Sequence, residues 1–150
     1  MFRPSGTSPA GPVTREIAFI LEYDTNAGFN ERVVSVGING TLLASFWVPA
    51  DFSTFISMTA LITPSGFGGA GHDIDLNVNF SGTGELALAN TSSDTTTTYD
   101  LGTSNSNEEI VLPSVLFSAL AAGDRGGIKF IHNTLPGNVL YKQLILKYST

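Results

Sequence analysis

The sequence predicts an all-β protein, an antiparallel β-sandwich of the jelly-roll type with about eight strands, and three observations lead there. Ile74, Leu76, Val78 and Phe80 alternate strictly with Asp73, Asp75, Asn77 and Asn79, the period-two signature of a strand with one buried and one wet face. Clusters of Gly, Pro, Asn, Asp and Ser separate short apolar runs along the whole chain, as turns do in sandwiches and barrels. Parallel βαβ units are absent. At 150 residues the length suits one ordinary domain.

Taken in order, residues 1–13 hold Pro4, Pro9 and Pro12 with two glycines, a mixture that makes neither helix nor ladder. They read as an extended arm, either a loose tail or an arm laid on a neighbouring subunit with Phe2 as apolar anchor. Residues 14–150 form the single sandwich domain. Its first strand places Ile17, Phe19, Leu21 and Tyr23 on one face while Ala18 and Ile20 keep the other apolar, so it is either central or covered by a partner. A loop follows over residues 24–30. Val33–Ile38 and Thr41–Val48 flank Asn39-Gly40, which predicts a hairpin with a type I′ turn.

Pro49-Ala50-Asp51-Phe52 breaks the chain before a strand over Ser53–Thr63, and Pro64 to Gly71 is a glycine-rich loop. Gly84–Ala89 and Thr95–Leu101 are expected to pair across residues 90–94. Glu108–Leu112 is another short strand. After Pro113, the spacing of Val115, Leu116, Phe117 and Leu120 allows one short helix near 114–122, ended by Gly123. Ile128–His132 and Val139–Tyr148 close the domain. Leu140, Leu144, Leu146 and Tyr148 share a parity that Lys142 interrupts, which predicts a bulge near Lys142-Gln143.

Composition excludes several function classes. There is no cysteine, hence no disulfide, thiolate metal site or cysteine nucleophile. Seven Lys and Arg are scattered in a chain of net charge −6, so no basic stripe exists to hold nucleic acid. No apolar run approaches a membrane span, and the first residues lack a signal peptide's apolar stretch, which makes synthesis in the cytoplasm the expectation. Charged residues are 13%, about half the ordinary share of roughly 25%. A surface solubilised by hydroxyls and amides tolerates close protein contact, and depleted charge marks interface cores.

Catalytic and metal chemistry find little support. Asp73 and Asp75 share a face beside His72, but the same pattern suits a solvated strand edge, and no metal or other cofactor is expected. The Gly66–Gly71 loop leads into a strand with no Lys nearby, so it is no phosphate cradle. His132 shares its parity with Ile128 and Phe130, which makes it a packed histidine. Glu108 and Glu109 are adjacent and face opposite sides of a strand. No nucleophile turn is present, and an enzyme is not expected. Trp47 is expected in the core, with a sugar-stacking platform as the alternative.

The series Trp47-Val48-Pro49-Ala50-Asp51-Phe52, a strand, Gly84-Glu85, Leu120-Ala121-Ala122-Gly123-Asp124, and a terminal strand ending in Tyr148 resembles small jelly-roll proteins of tailed-phage particles, over about residues 15–148. These are capsid cement or decoration proteins and fibre-type head or tail domains, many of them trimers. The resemblance implies a virion structural protein made in the host cytoplasm, a homotrimer that stabilises the shell by contacts with the major capsid protein or another virion protein. It transfers no site residues. Candidate partner contacts are Phe2 and Arg3 on the arm, Ile17 and Phe19 on the first strand, and Trp47, Phe67 and Tyr99. The competing reading is a receptor- or carbohydrate-binding jelly roll using Trp47, Phe67, Tyr99 and the loop 64–72. A filament or shell subunit of cellular origin is a third.

Overall fold

The computed structural model describes residues 11–21, 34–133 and 135–150. Phe2, Arg3, Tyr23, the expected loop over 24–30 and most of the expected arm lie outside the described residues; Gly11, Pro12 and Val13 are exposed and lead into the first strand.

Ten strand segments are present among the described residues: β1 (Thr14–Ile20), β2 (Val34–Val36), β3 (Thr41–Trp47), β4 (Thr54–Ser65), β5 (His72–Ser81), β6 (Asn90–Asp94), β7 (Thr98–Tyr99), β8 (Glu108–Val111), β9 (Arg125–His132) and β10 (Asn138–Ser149). They occupy eight lanes. β1 and β2 lie end to end along β10, and β6 and β7 lie end to end along β5. The first sheet runs β1/β2–β10–β4–β8 and the second runs β3–β9–β5–β6/β7, every pairing antiparallel. The first lane adjoins the eighth within its sheet and the second adjoins the seventh. The third adjoins the sixth and the fourth adjoins the fifth. This nesting, one long folded-over ribbon wrapped into two sheets, is the jelly roll the periodicity predicted.

The two interruptions have local causes. Between β6 and β7 the Asp94 side chain accepts hydrogen bonds from the Thr96 and Thr97 amides, at 2.8 and 3.1 Å, and from both threonine hydroxyls. The chain therefore turns out of the ladder for three residues. These bonds, that from the Thr97 hydroxyl first, also hold the carboxyl below its ordinary range. Between β1 and β2 the break faces the bulge expected in β10. The register to β4 slips between Tyr141 and Gln143, and the Leu21 amide donates to the Lys142 carbonyl at 3.3 Å. Parity records the bulge: Val139 and Tyr141 point inward before it, Leu144, Leu146 and Tyr148 after it.

The core lies between the sheets. Met58, Ala60 and Ile62 of β4 and the inward residues of β10 face Leu42, Ala44 and Phe46 of β3, Ile74–Phe80 of β5, and Ile128 and Phe130 of β9. Phe117 plugs one mouth. It is fully buried, with ring centroids 6.3 Å from Phe46 of the second sheet and 5.3 Å from Phe55 of the first. Gly126 allows the closest approach, since a Cβ there would stand 2.2 Å from the Asn79 carbonyl oxygen and 2.6 Å from Phe80 Cβ.

Four expectations need correction. The helix near 114–122 is a 3-10 turn over Ser114–Phe117 followed by further i→i+3 bonds, Ser118 to Val115 and Leu120 to Phe117. The three-residue period sets Phe117 and Leu120 on one side, where the mouth buries both. Asn39-Gly40 makes a turn but no hairpin. Gly40 N donates to Gly37 O at 3.0 Å with Asn39 at φ 56 and Ile38 not positive, the type II pattern. The turn carries the chain from β2 on β10 to β3 on β9. The pairing of 84–89 with 95–101 is inverted: residues 83–89 are turns, and the expected loop Asn90–Asp94 is the strand, bound to Leu76–Phe80. Trp47 is half-exposed because Leu42, Ala44 and Phe46 hold the inward parity of β3.

A small polar cluster sits in this apolar interior. His132 is buried, as its parity predicted, and its Nε2 lies 2.8 Å from the Tyr141 hydroxyl. With Tyr141 donating, the ring carries its proton on Nδ1, which is buried without a hydrogen-bond partner among the described residues. The Tyr99 hydroxyl is buried without a hydrogen-bond partner among the described residues. Burial pushes both tyrosines well above the ordinary phenol range and pushes His132 down to about 4. An unfolded chain protonates this histidine below its ordinary 6.5, whereas the folded one resists until about 4. Stability is therefore full above pH 6.5 and falls by about 3 kcal/mol as pH drops to 4. Urea titrations across that range should show the loss in the parent and a shallower slope in His132→Gln, the carboxylates acting equally in both. Gly126→Ala should lower the urea midpoint at neutral pH, costing about 2 kcal/mol through overpacking.

Candidate interaction surface

Each sheet has two edge lanes, and the residues on them differ in charge. The first sheet ends in β1/β2 and β8. β1 carries Arg15, paired with Asp51 at 3.3 Å, and Glu16, paired with Lys147 at 3.3 Å; β8 carries Glu108 and Glu109. The second sheet ends in β3 and β6/β7. β6 is Asn-Thr-Ser-Ser-Asp. β3 is Thr-Leu-Leu-Ala-Ser-Phe-Trp, with neither charge nor proline. Charged side chains and prolines on an edge discourage strand addition, and β3 has none.

The backbone of β3 is equally open. Val48 N donates to Asp124 O, and Gly40 O accepts from His132 N. The ladder between them runs without a slip, so the even-numbered residues bond to β9. Thr41, Leu43, Ser45 and Trp47 aim their N–H and C=O groups at the free edge, where nothing among the described residues pairs with them. Their side chains stand on the solvent face, with Leu43 77% and Trp47 50% exposed. The Phe19 ring of β1 meets Trp47 edge-on, 6.0 Å between centroids. An open cleft of about 310 Å³ separates Ile20, Leu21 and Val34 from the Leu42–Ser45 stretch.

A second apolar exposure lies at the Phe117 mouth. Leu86 is 84% exposed, Leu88 is exposed with φ 66, and Val115 is exposed. Two turns brace that mouth. Val48 exchanges backbone bonds with Gly123 and Asp124, and the Asp124 carboxylate accepts the Ala121 amide at 2.8 Å. Asp51 accepts the Tyr148 hydroxyl at 3.1 Å while Phe52 stacks on the Tyr148 ring. The Trp-Val-Pro-Ala-Asp-Phe and Ala-Gly-Asp segments thus bind each other and the last strand.

The expected contacts separate into groups. Ile17 and Phe19 are half-buried on the inner face of β1, and Ala18 and Ile20 are exposed on the other. β1 is an edge strand, not a central one. Trp47 joins Phe19, but Phe67 and Tyr99 sit at the opposite end of the second sheet. Tyr99 pairs with His72 at the start of β5 and is buried, and Phe67 packs edge-on against His72 at 5.3 Å. No shared surface holds Trp47, Phe67 and Tyr99. Leu43 is marked in the sequence only by its parity with Trp47.

His72 turns its Nε2 to the Gly68 carbonyl at 3.0 Å, while Asp73 binds Asn133 at 3.3 Å. Among the described residues no three His, Asp or Glu side chains converge as metal ligands would, and no helix is long and apolar enough to cross a membrane.

No family model and no curated protein matches the chain. Two solved virus structures align with it. In the structure of infectious bursal disease virus, Gx strain, the identity is 12% and the TM-score 0.47; the alignment covers 97% of this chain and 36% of that one. In Desmodium yellow mottle tymovirus the identity is 7% and the TM-score 0.28, covering 100% of this chain and 94% of that one. The chain thus spans about a third of the birnavirus chain it aligns with. At these scores the alignments carry no functional weight, and the jelly-roll assignment rests on the strand order itself.

Proposed function

We propose that this chain is a structural subunit of a virus particle, a cement or decoration protein of a tailed phage that acts by burying surface and not by catalysis. It would assemble as a homotrimer and bridge copies of the major capsid protein or another virion protein. The observation that carries the reading is the uncharged β3 edge, with Leu43 and Trp47 exposed on it. Such a surface is a liability in a free monomer and an asset in an assembly. The low overall charge, the second apolar exposure at Leu86, Leu88 and Val115, and the resemblance of the Trp47–Phe52 and Leu120–Asp124 segments to phage cement proteins point the same way.

Half-exposure of Trp47 favours a second reading, a receptor- or carbohydrate-binding module. The indole borders an open hollow of about 630 Å³ lined by Ser45, Phe46, Arg125 and Gly126, where a sugar face could stack. Its partners would be Ser45 and Arg125, not the distant Phe67 and Tyr99.

Native mass of the purified chain, full-length and lacking residues 1–13, tests the assembly. A mass three times 15.8 kDa, or six times where trimers also pair, is expected. Retention of that mass in the shortened form would place the interface on the sandwich, and its loss would place it on the arm. Particles lacking the protein should regain heat resistance when it is added back. A monomer that binds no particle would overturn the proposal. Titration with a panel of sugars while following Trp47 fluorescence should give a flat response; a saturable quench would establish the second reading instead.

A further inference from the structure

The β3 edge permits a more specific statement, independent of the threefold contact proposed above. We infer that two copies of this chain join by antiparallel pairing of their β3 strands across a twofold axis, which continues the second sheet of one copy into that of the other.

Three features make a second copy the fitting occupant. First, the outward N–H and C=O groups belong to Thr41, Leu43, Ser45 and Trp47, all odd-numbered. An antiparallel partner with the same spacing satisfies them in pairs, and a twofold axis supplies such a partner without any new surface. Second, the side chains complement themselves. With the axis at Ala44, Leu43 faces Ser45 of the partner subunit and lies diagonal to the partner's Leu43 and the partner's Trp47. With the axis at Ser45, Leu43 faces the partner's Trp47 directly. Either register sets apolar groups beside apolar groups on one face, the arrangement that stabilises cross-strand pairs. Third, the pairing is free of charge repulsion, since β3 has no ionisable residue. Two copies of β8 would bring Glu108 and Glu109 of each to the seam, and two copies of β1 would bring Glu16 of each there.

The surroundings suit a docked strand. Phe19 packs edge-on against the Trp47 ring, which lowers the side-chain freedom lost on contact, and the cleft between Ile20, Val34 and the Leu42–Ser45 stretch borders the edge. A contact of seven residues lies at the small end of specific interfaces, so the association should depend on concentration.

The experiment is native mass over a concentration series for the full chain and three variants. Leu43→Glu puts a carboxylate on an exposed site whose cross-strand neighbour on the same face is Lys129, so the fold keeps a favourable pair while two copies repel. Ser45→Pro removes one outward N–H and no bond to β9. Val111→Glu adds the same charge to the exposed face of β8 as a control. The expected result is an even-numbered mass, twofold or, if trimers also close, sixfold. Leu43→Glu and Ser45→Pro should halve it, and Val111→Glu should leave it unchanged. A wild-type chain that is monomeric or only trimeric at every concentration would overturn the inference, as would an even-numbered mass that both β3 variants retain. A trimer indifferent to Leu43→Glu removes the β3 contact and leaves the cement reading resting on the low charge and the Leu86, Leu88 and Val115 exposure. A dimer that Leu43→Glu dissociates does the reverse for the threefold.

Discussion

The ladder between β10 and β4 is the interaction on which the rest of the structure depends. β10 is the last strand in sequence, yet it carries β1 and β2 on one side and β4 on the other. Without it the first lane has no partner and the first sheet is reduced to β4 and β8. The nesting means that nearly every pairing closes a long loop, and among the described strands only β5 with β6/β7 is local. Loop-closure entropy must be met before those contacts form. The local β5–β6 ribbon is therefore the natural starting point, with β9, β4 and finally β10 added around it.

Several polar groups at the corners and in the core of this sandwich have identifiable tasks. Asp51 and Asp124 tie corner segments to strands, and each reaches a specific donor. His132 Nε2 and the Tyr141 hydroxyl pair across the two sheets. The Tyr99 hydroxyl and His132 Nδ1 have no partner among the described residues, and a buried polar group left unpaired costs on the order of 1–3 kcal/mol. The cluster ties β9 to β10 through a directional bond that apolar packing alone would not give. It also confines full stability to neutral and alkaline pH, because a buried imidazole is stable there only when uncharged.

Legibility in the sequence followed how far each residue's environment was decided locally. β5 was plain, since strict alternation has one reading, and the bulge near Lys142 was plain because it breaks a parity otherwise sustained. The Asn39-Gly40 turn was visible but its destination was not: turn chemistry sets the reversal, while pairing partners are chosen by distant strands. Asn90–Asp94 has poor strand propensity and became a strand because Val78 and Phe80 needed a neighbour. Leu86 and Leu88 read as strand and stand in solvent instead. Trp47 was misplaced for a related reason. In Thr-Leu-Leu-Ala-Ser-Phe-Trp both parities hold apolar residues, so alternation cannot say which faces the core. Of the expected contacts, Phe19 and Trp47 are brought together, while Phe67 and Tyr99 are taken up by packing around His72.

That ambiguity in β3 is itself informative. A strand that serves only the core of a two-sheet protein gains nothing from a tryptophan and a leucine on its solvent face. An edge strand, moreover, exposes its backbone to any passing chain. The other edges of this molecule hold acidic residues, and the charge-poor composition makes those few carboxylates conspicuous in their placement on β1, β6 and β8. Had the low charge come only from a general drift toward Ser and Thr, all four edges would be equally bare. Among the described residues the asymmetry separates lanes that carry acidic residues from β3, which carries none. It places the exposed apolar side chains on the same strand as the backbone groups that no described residue pairs with, where a single partner strand would cover both.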